Sequence, residues 1–371
     1  AGYKCGRCGK LWSTVKKNNA VEDGQWVERK PFDGEPKSVG AHVNRLYSLL
    51  GKSGDIPKLV GDYVGSIGSS DPKDLQNFIN SALAEPWIQV ITRTEESTVL
   101  KAKCDLAPMT IPDEAIAITC GVDVQKYGFW FLIRAWAKDY TSWLVHYGFL
   151  STYDDVRNLL FKTEFRKANG TVCTIWRTAM DTGGGGGVFE SEASQTEQTY
   201  WFIRQHGAGR IWGTKGSSKS LAAKVKIGNI IDKTPSGKPL PGGIQLIMID
   251  TNRMKDVVMY RLTQAVKQRQ FAAYLHRDVG DEYAAHIMAE EKRVDNKGQA
   301  EWVLINKENH LLDCEVLAHA CAEPEWPGGG INIVANALNP SPAVQQQQQV
   351  VGSSWLNRSG SFGGSNWVNR R

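Results

Sequence analysis

The chain has 371 residues, 41% of them apolar and 22% charged, with a formal net charge of +5. That length fits two domains or one large domain with appendages, and the balance is that of an ordinary globular chain rather than a disordered or fibrous one. No apolar run reaches the ~18 residues of a membrane-spanning helix, and the opening AGYKCG carries no Met, basic leader or apolar signal core, so it reads as a cut end.

In chain order, residues 1 to about 30 are polar and Gly-containing, with Cys5-Gly-Arg-Cys8 at the front. "DIPKLVGDYVGSIG" predicts a helix with Ile56, Leu59, Val60 and Val64 on one face, and "DPKDLQNFINSALAEPW" a second, started by Asp-Pro and carrying Leu75, Phe78, Ile79 and Leu83 at helical spacing. Ile88 to Pro112 reads as a connector. Three β runs follow, "AIAITCGVDV", "GFWFLIRAWA" and "SWLVHYGFL", joined by QKYG and KDYT, which suit tight hairpins. Next come a helix ("TYDDVRNLLFKTEF"), a strand ("TVCTIWRTAMD") ending in Asp181 and five glycines, a helix ("SQTEQTYWFIRQH") and a short strand ("RIWGTKG"). Residues Arg210 to Gly243 form a basic, Gly/Ser-rich span. Beyond it lie a strand ("GIQLIMID"), two helices ("DVVMYRLTQAVK" and "DEYAAHIMAEEKR"), a brief strand ("AEWVLI") and a helix ("NHLLDCEVLAHACA"). After Trp326 the chain turns to Gly, Gln and Ser without an acidic residue, which reads as mostly disordered. The expected organisation is a CxxC-containing and helical linker region over 1–112, an α/β domain with an antiparallel three-strand meander over 113–327, and a flexible tail over 328–371. The seven cysteines are odd in number and several sit in apolar patterns, as expected of reduced, buried thiols in a cytosolic protein.

Three carboxylates stand out. Asp123 lies in an apolar strand, where burying a charge is costly unless it is paired; the alternative is that it opens a turn. Asp181 ends a strand before a Gly loop, a position that lets a ligand approach the backbone closely, or it too starts a turn. Asp313 and Glu315 lie early in the last long helix, about 200° apart. Asp313 shares the side of Val316, Leu317 and Ala320 and is the inward candidate, although an acid near a helix start also suits the helix dipole. Glu315 pairs at i+4 with His319, the more exposed side. Three acids from distant positions meeting at one sheet edge suit Mg²⁺ or Mn²⁺, which take oxygen ligands. Two such ions can activate water and stabilise the leaving oxygen of a phosphodiester.

These residues, in this order, resemble the RNase H-like nuclease fold, and more narrowly the C-terminal half of the lambda-type (GpA family) bacteriophage terminase large subunit. The matching stretches are "YKCGRCGK", "GQW", "LYSLL", "DLQNFINSALAEPW", "GVDVQ", the "MDTGG" strand end and "NHLLDCEVLAHA", from about Tyr3 to Glu323. The resemblance implies a metal-dependent endonuclease that cuts concatemeric viral double-stranded DNA in the host cytoplasm, with Asp123, Asp181 and Asp313 as ligands of two ions. It also implies an ATPase half upstream, a small-subunit partner, and portal docking through the C-terminal end, where Trp355, Phe362 and Trp367 are spaced by Gly, Ser and Asn.

"GTKGSSKS" is not a P-loop, because Ser218 stands where the second glycine belongs. Cys5 and Cys8 are half of a tetrahedral zinc set, and the second pair implied by the resemblance is absent from this chain. Lys215, Lys219, Lys224 and Lys226 in the basic span suit sequence-independent contact with DNA phosphates, against the alternative of a solvated loop. "MDTGG" matches the Asp-Thr-Gly of aspartic proteases, but those need two such acids facing each other. The rival functions are a catalytically silent DNA- and portal-docking module, and another RNase H-like nuclease of the resolvase or transposase type.

Overall fold

The computed structural model describes residues 3–5, 9–27, 34, 40–50, 52–69, 71–85, 96–183, 194–207, 209–217, 219–294 and 300–338. Its centre is an eight-stranded mixed sheet of β1 (Ala117–Gln125), β2 (Gly128–Trp136), β3 (Ser142–Leu150), β4 (Arg177–Asp181), β5 (Ile211–Ser217), β6 (Val225–Lys233), β7 (Pro239–Asp250) and β8 (Ala273–Tyr274). The spatial order is β6-β7-β5-β4-β1-β2-β3-β8. The first three strands form the expected antiparallel meander, and β4, β5 and β7 then add in parallel on the other side of β1. The β1–β2 turn closes between Gln125 and Gly128. Gly128 has φ +155° there, and a Cβ would run into Phe149 and the Leu150 carbonyl.

The described helices are α1 (Thr14–Glu22), α2 (Ile56–Ile67), α3 (Pro72–Ala82), α4 (Tyr153–Phe161), α5 (Gln195–His206), α6 (Thr251–Val266), α7 (Asp281–Ile287), α8 (His310–Ala322) and α9 (Ile331–Leu338), besides shorter turns. Alternation along β1 sorts its side chains between two layers. Cys120, Val122 and Val124 pack into one core with Leu159 and Leu160 of α4 and Phe202 and Ile203 of α5. Thr119, Gly121 and Asp123 face the other layer, where Thr119 Oγ1 donates to the Ala318 carbonyl of α8 at 2.9 Å. Gly121 allows that approach, since a Cβ there would overlap the Cys314 carbonyl and the Ala318 nitrogen. Cys120, Cys314 and Cys321 are buried.

Several expectations from the sequence need correction, among them the helix read over DEYAAHIMAEEKR, which ends at Ile287 and gives way to a strand over Glu290–Val294. The helix α8 is buried on every side rather than on one stripe, so Glu315 and His319 are both fully enclosed, not exposed. Glu315 takes two bonds from the guanidinium of Arg134 on β2 and one from the Tyr283 hydroxyl. On α2, Ile56 and Leu59 are buried while Val60 and Val64 face outward. The fold runs past Pro327, because Ile331 of α9 is buried with Trp136, Ala117 and Ala322. The stretch before Pro112 is more than a connector: Val99 and Ala102 enter the core, and Ile111 pairs in register with Lys167. Cys8, Gly184 to Gly187 and the tail aromatics lie outside the described residues.

Candidate active site

The parallel pairing of β1 with β4 sets the site. The register runs Thr119 with Arg177 through Val122 with Met180, so the next step places Asp123 beside Asp181 at the carboxyl ends of two adjacent strands. Ligands of open α/β sheets bind outside that end, where strand order reverses. Asp313 lies in the first turn of α8, the helix that crosses β1 closely at Gly121.

Asp123 is 4% exposed. Its Oδ2 accepts from Gln125 Nε2 at 2.8 Å and stands 2.9 Å from His310 Nδ1. The His310 ring lies flat against Trp130, at 10° and 5.8 Å between centroids, and Trp130 is the cross-strand partner of Asp123. The hydrogen bond that His310 donates to Asp123 raises the His310 pKa against the opposing effect of burial. Asp181 Oδ1 accepts from the Gly183 amide at 3.1 Å. Burial pushes the Asp181 carboxyl up to about 6, with the Asp123 charge adding to the rise and Lys215 opposing it. Burial also raises Asp313, to about 7; Lys255 opposes that rise, while Asp123, Glu290 and Asp181 add to it. The three acids therefore sense one another's charge. Among the described residues, however, no three His, Cys, Asp or Glu side chains are gathered closely enough to hold an ion as they stand.

Beside Asp313 is a group that pattern reading does not find. Lys255 of α6 is buried and binds Glu290 at 2.5 Å, with Asp313 Oδ1 3.7 Å away. Asn309 Nδ2 bridges Glu290 Oε1 at 2.9 Å and Asp313 Oδ2 at 3.0 Å. Asn309 is the N-cap residue of α8, yet its side chain makes no cap bond. It forgoes a helix-end contact of about 1 kcal/mol to hold these acids. Gln125 and His310 had a signal in the sequence: Gln125 lies two residues after Asp123 on the same strand face, and His310 three before Asp313. Lys255 and Glu290 had none, because only tertiary packing brings them near.

The four lysines expected at DNA divide. Lys215 is exposed on β5, Lys219 in the β5–β6 connection and Lys226 on β6, and the basic span is largely strand rather than loop. Lys224 is buried instead. Its ammonium lies 2.6 Å from Glu323, 3.7 Å from Asp71 and 3.6 Å from Glu325. It is occupied in tying α8 and α3 to the sheet and is not displayed to a ligand.

Proton release links the site to pH. Of the two raised carboxyls, Asp313 is already held by Lys255 and Asn309, so a divalent cation would compete with protons chiefly for Asp181, and its affinity should fall as pH drops through about 6. Titrating Mn²⁺ by calorimetry at pH 8 and pH 5.5 should show weakening of roughly fourfold. Without metal the sign for the fold is opposite. These raised carboxyls take up protons in the folded state before the unfolded one does, so they favour folding increasingly as pH falls from 7 toward 4. A flat Mn²⁺ affinity over this range would remove Asp181 from the ligand set.

The family model described as "Terminase large subunit gpA, endonuclease domain" matches residues 38–325. The chain is 25% identical over 301 residues to the terminase large subunit of Enterobacteria phage P21, which covers 77% of this chain and 44% of that relative's length. No helix among the described residues is long and apolar enough to cross a membrane.

Proposed function

Because the chain belongs to the family of the terminase large subunit gpA endonuclease domain, we propose that it cuts double-stranded DNA for a phage packaging motor, at the carboxyl ends of β1 and β4. The observation that carries this reading is the β1–β4 register, which sets Asp123 beside Asp181, with Asp313 of α8 sharing their field. An antiparallel meander extended by parallel strands on the β1 side supports an RNase H-like topology.

The donor set is all carboxylate oxygen, which suits Mg²⁺ or Mn²⁺, and Asp123, Asp181 and Asp313 would hold the ions. Bound there, two such cations supply charge neutralisation and a more acidic attacking water for in-line hydrolysis. The chain's own residues set the frame. Gln125 and His310 fix the plane of Asp123, Trp130 fixes His310, and Lys255 with Asn309 fixes Asp313. Hydrolysis would leave 5′-phosphate and 3′-hydroxyl ends. Mn²⁺-dependent nicking of supercoiled plasmid, suppressed by EDTA, is the expected result. Absence of nicking with either Mn²⁺ or Mg²⁺ would leave the docking-module reading in its place.

Lys215, Lys219 and Lys226 are proposed to track the DNA backbone, with the small subunit and the portal as further partners. Each phosphate contact contributes about 0.9 to the slope of log K against log salt. Replacing Lys219 and Lys226 by Gln should therefore reduce that slope by roughly 2 in a binding titration. An unchanged slope would remove β6 and the β5–β6 connection from the interface.

A further inference from the structure

Asp123 has one carboxylate oxygen committed within the protein. A carboxylate oxygen offers about two lone-pair sites, and Gln125 and His310 take those of Oδ2 at 2.8 and 2.9 Å. Neither donor is loosely held. Gln125 lies in the same strand, and His310 is stacked on Trp130. Oδ1 is the oxygen that neither of them takes. On the far side, both oxygens of Asp313 are engaged, Oδ2 by Asn309 at 3.0 Å and Oδ1 by the Lys255 ammonium 3.7 Å away. Lys255 is itself buried, its ammonium anchored on Glu290 at 2.5 Å between the two carboxylates.

We infer that Lys255 is a positioning residue acting as a resident cation, holding the Asp313–Glu290 side of the site and limiting the DNA-free protein to a single divalent ion on the Asp123–Asp181 side. This rests on the endonuclease reading above and deepens it. A permanent positive charge already compensates Asp313 and Glu290, and a second divalent ion placed beside it would meet Coulomb repulsion in a partly desolvated setting. The scissile phosphate brings further negative charge, which makes room for a second ion only once DNA is bound. Lys255 thereby couples completion of the site to the presence of substrate.

The test counts Mn²⁺ per chain by electron paramagnetic resonance and calorimetry at pH 8, without DNA. The native chain is expected to bind one ion, and Lys255→Met two. The double variant Lys255→Met with Glu290→Gln, which removes the buried charge along with its partner, is expected to return to one. Lys255→Arg, which keeps the cation, should also bind one and serves where the Met variant does not fold. Two ions in the native chain, two in Lys255→Arg, or one in a folded Lys255→Met overturns the inference. A native chain that binds no Mn²⁺ at all, and so matches Asp123→Asn, would instead overturn the endonuclease reading itself.

Discussion

Asp123→Asn is expected to cut plasmid cleavage by at least roughly 10³-fold, with the melting temperature and DNA affinity nearly unchanged. A carboxylate that organises divalent cations supplies several kcal/mol of transition-state charge stabilisation, at about 1.4 kcal/mol per tenfold. The amide keeps the shape and can still accept from Gln125 and His310, so the fold has little reason to move. The substitution removes only the charge beside Asp181. It should also lower the Asp181 and Asp313 pKa values, because the Asp123 charge raises both. Cleavage within tenfold of the native chain under Mn²⁺ would sink the assignment of this residue. Lost cleavage together with lost DNA binding would point to unfolding, which the melting curve separates.

Glu315→Leu is expected to be the most damaging single change to stability. Arg134 and Glu315 are both fully enclosed, joined by two bonds of 2.5 and 2.7 Å. Tyr283 and His319 complete the shell of Glu315. Burial alone would raise the Glu315 pKa, but the Arg134 guanidinium beside it and His319 hold it down at about 2. Removing one partner strands the other charge and costs about 3–5 kcal/mol, or roughly 10 °C of melting temperature in a domain of this size. The double change Arg134→Met with Glu315→Leu should recover most of that loss, since an apolar pair of similar volume is often neutral. A drop below about 2 °C for the single variant would show that the enclosed pair is not what anchors α8. With the pKa depressed, this contribution is complete above 4.5, the ordinary glutamate value, and is lost only as pH falls toward 2. The lever reaches the site because Glu315 lies two residues from Asp313.

Much of the site was legible because its acids break local rules in plain view. A charge in an apolar strand, an acid at a strand end before glycines and an acid at a helix start each stand out from their neighbours. Alternation also marks Gln125 as a companion of Asp123. What misled was the assumption that α8 has an exposed side. Its residues are apolar or small nearly all round, and a helix in such surroundings gives no periodicity from which to choose a face. The i+4 pairing of Glu315 with His319 was legible, but its bond to Arg134 and the burial of Lys224 could not be inferred, since those counter-charges come from β2, α3 and the C-terminal end of α8, far along the chain.

The sequence by itself determined the meander, most of the helices around it and the three acids that stand out from their neighbours, though not β6 or the strand over Glu290–Val294. Those follow from period-2 and period-3.6 patterns and from turn chemistry, all of which are local. Only the tertiary structure decided which charges serve the site and which serve the frame. Lys224 and Lys255 are both buried lysines, yet one ties down α3 and α8 while the other stands against Asp313. The reason is physical: the cost of a buried charge depends on the partners within a few ångströms, and those partners are set by packing between elements that no local pattern records.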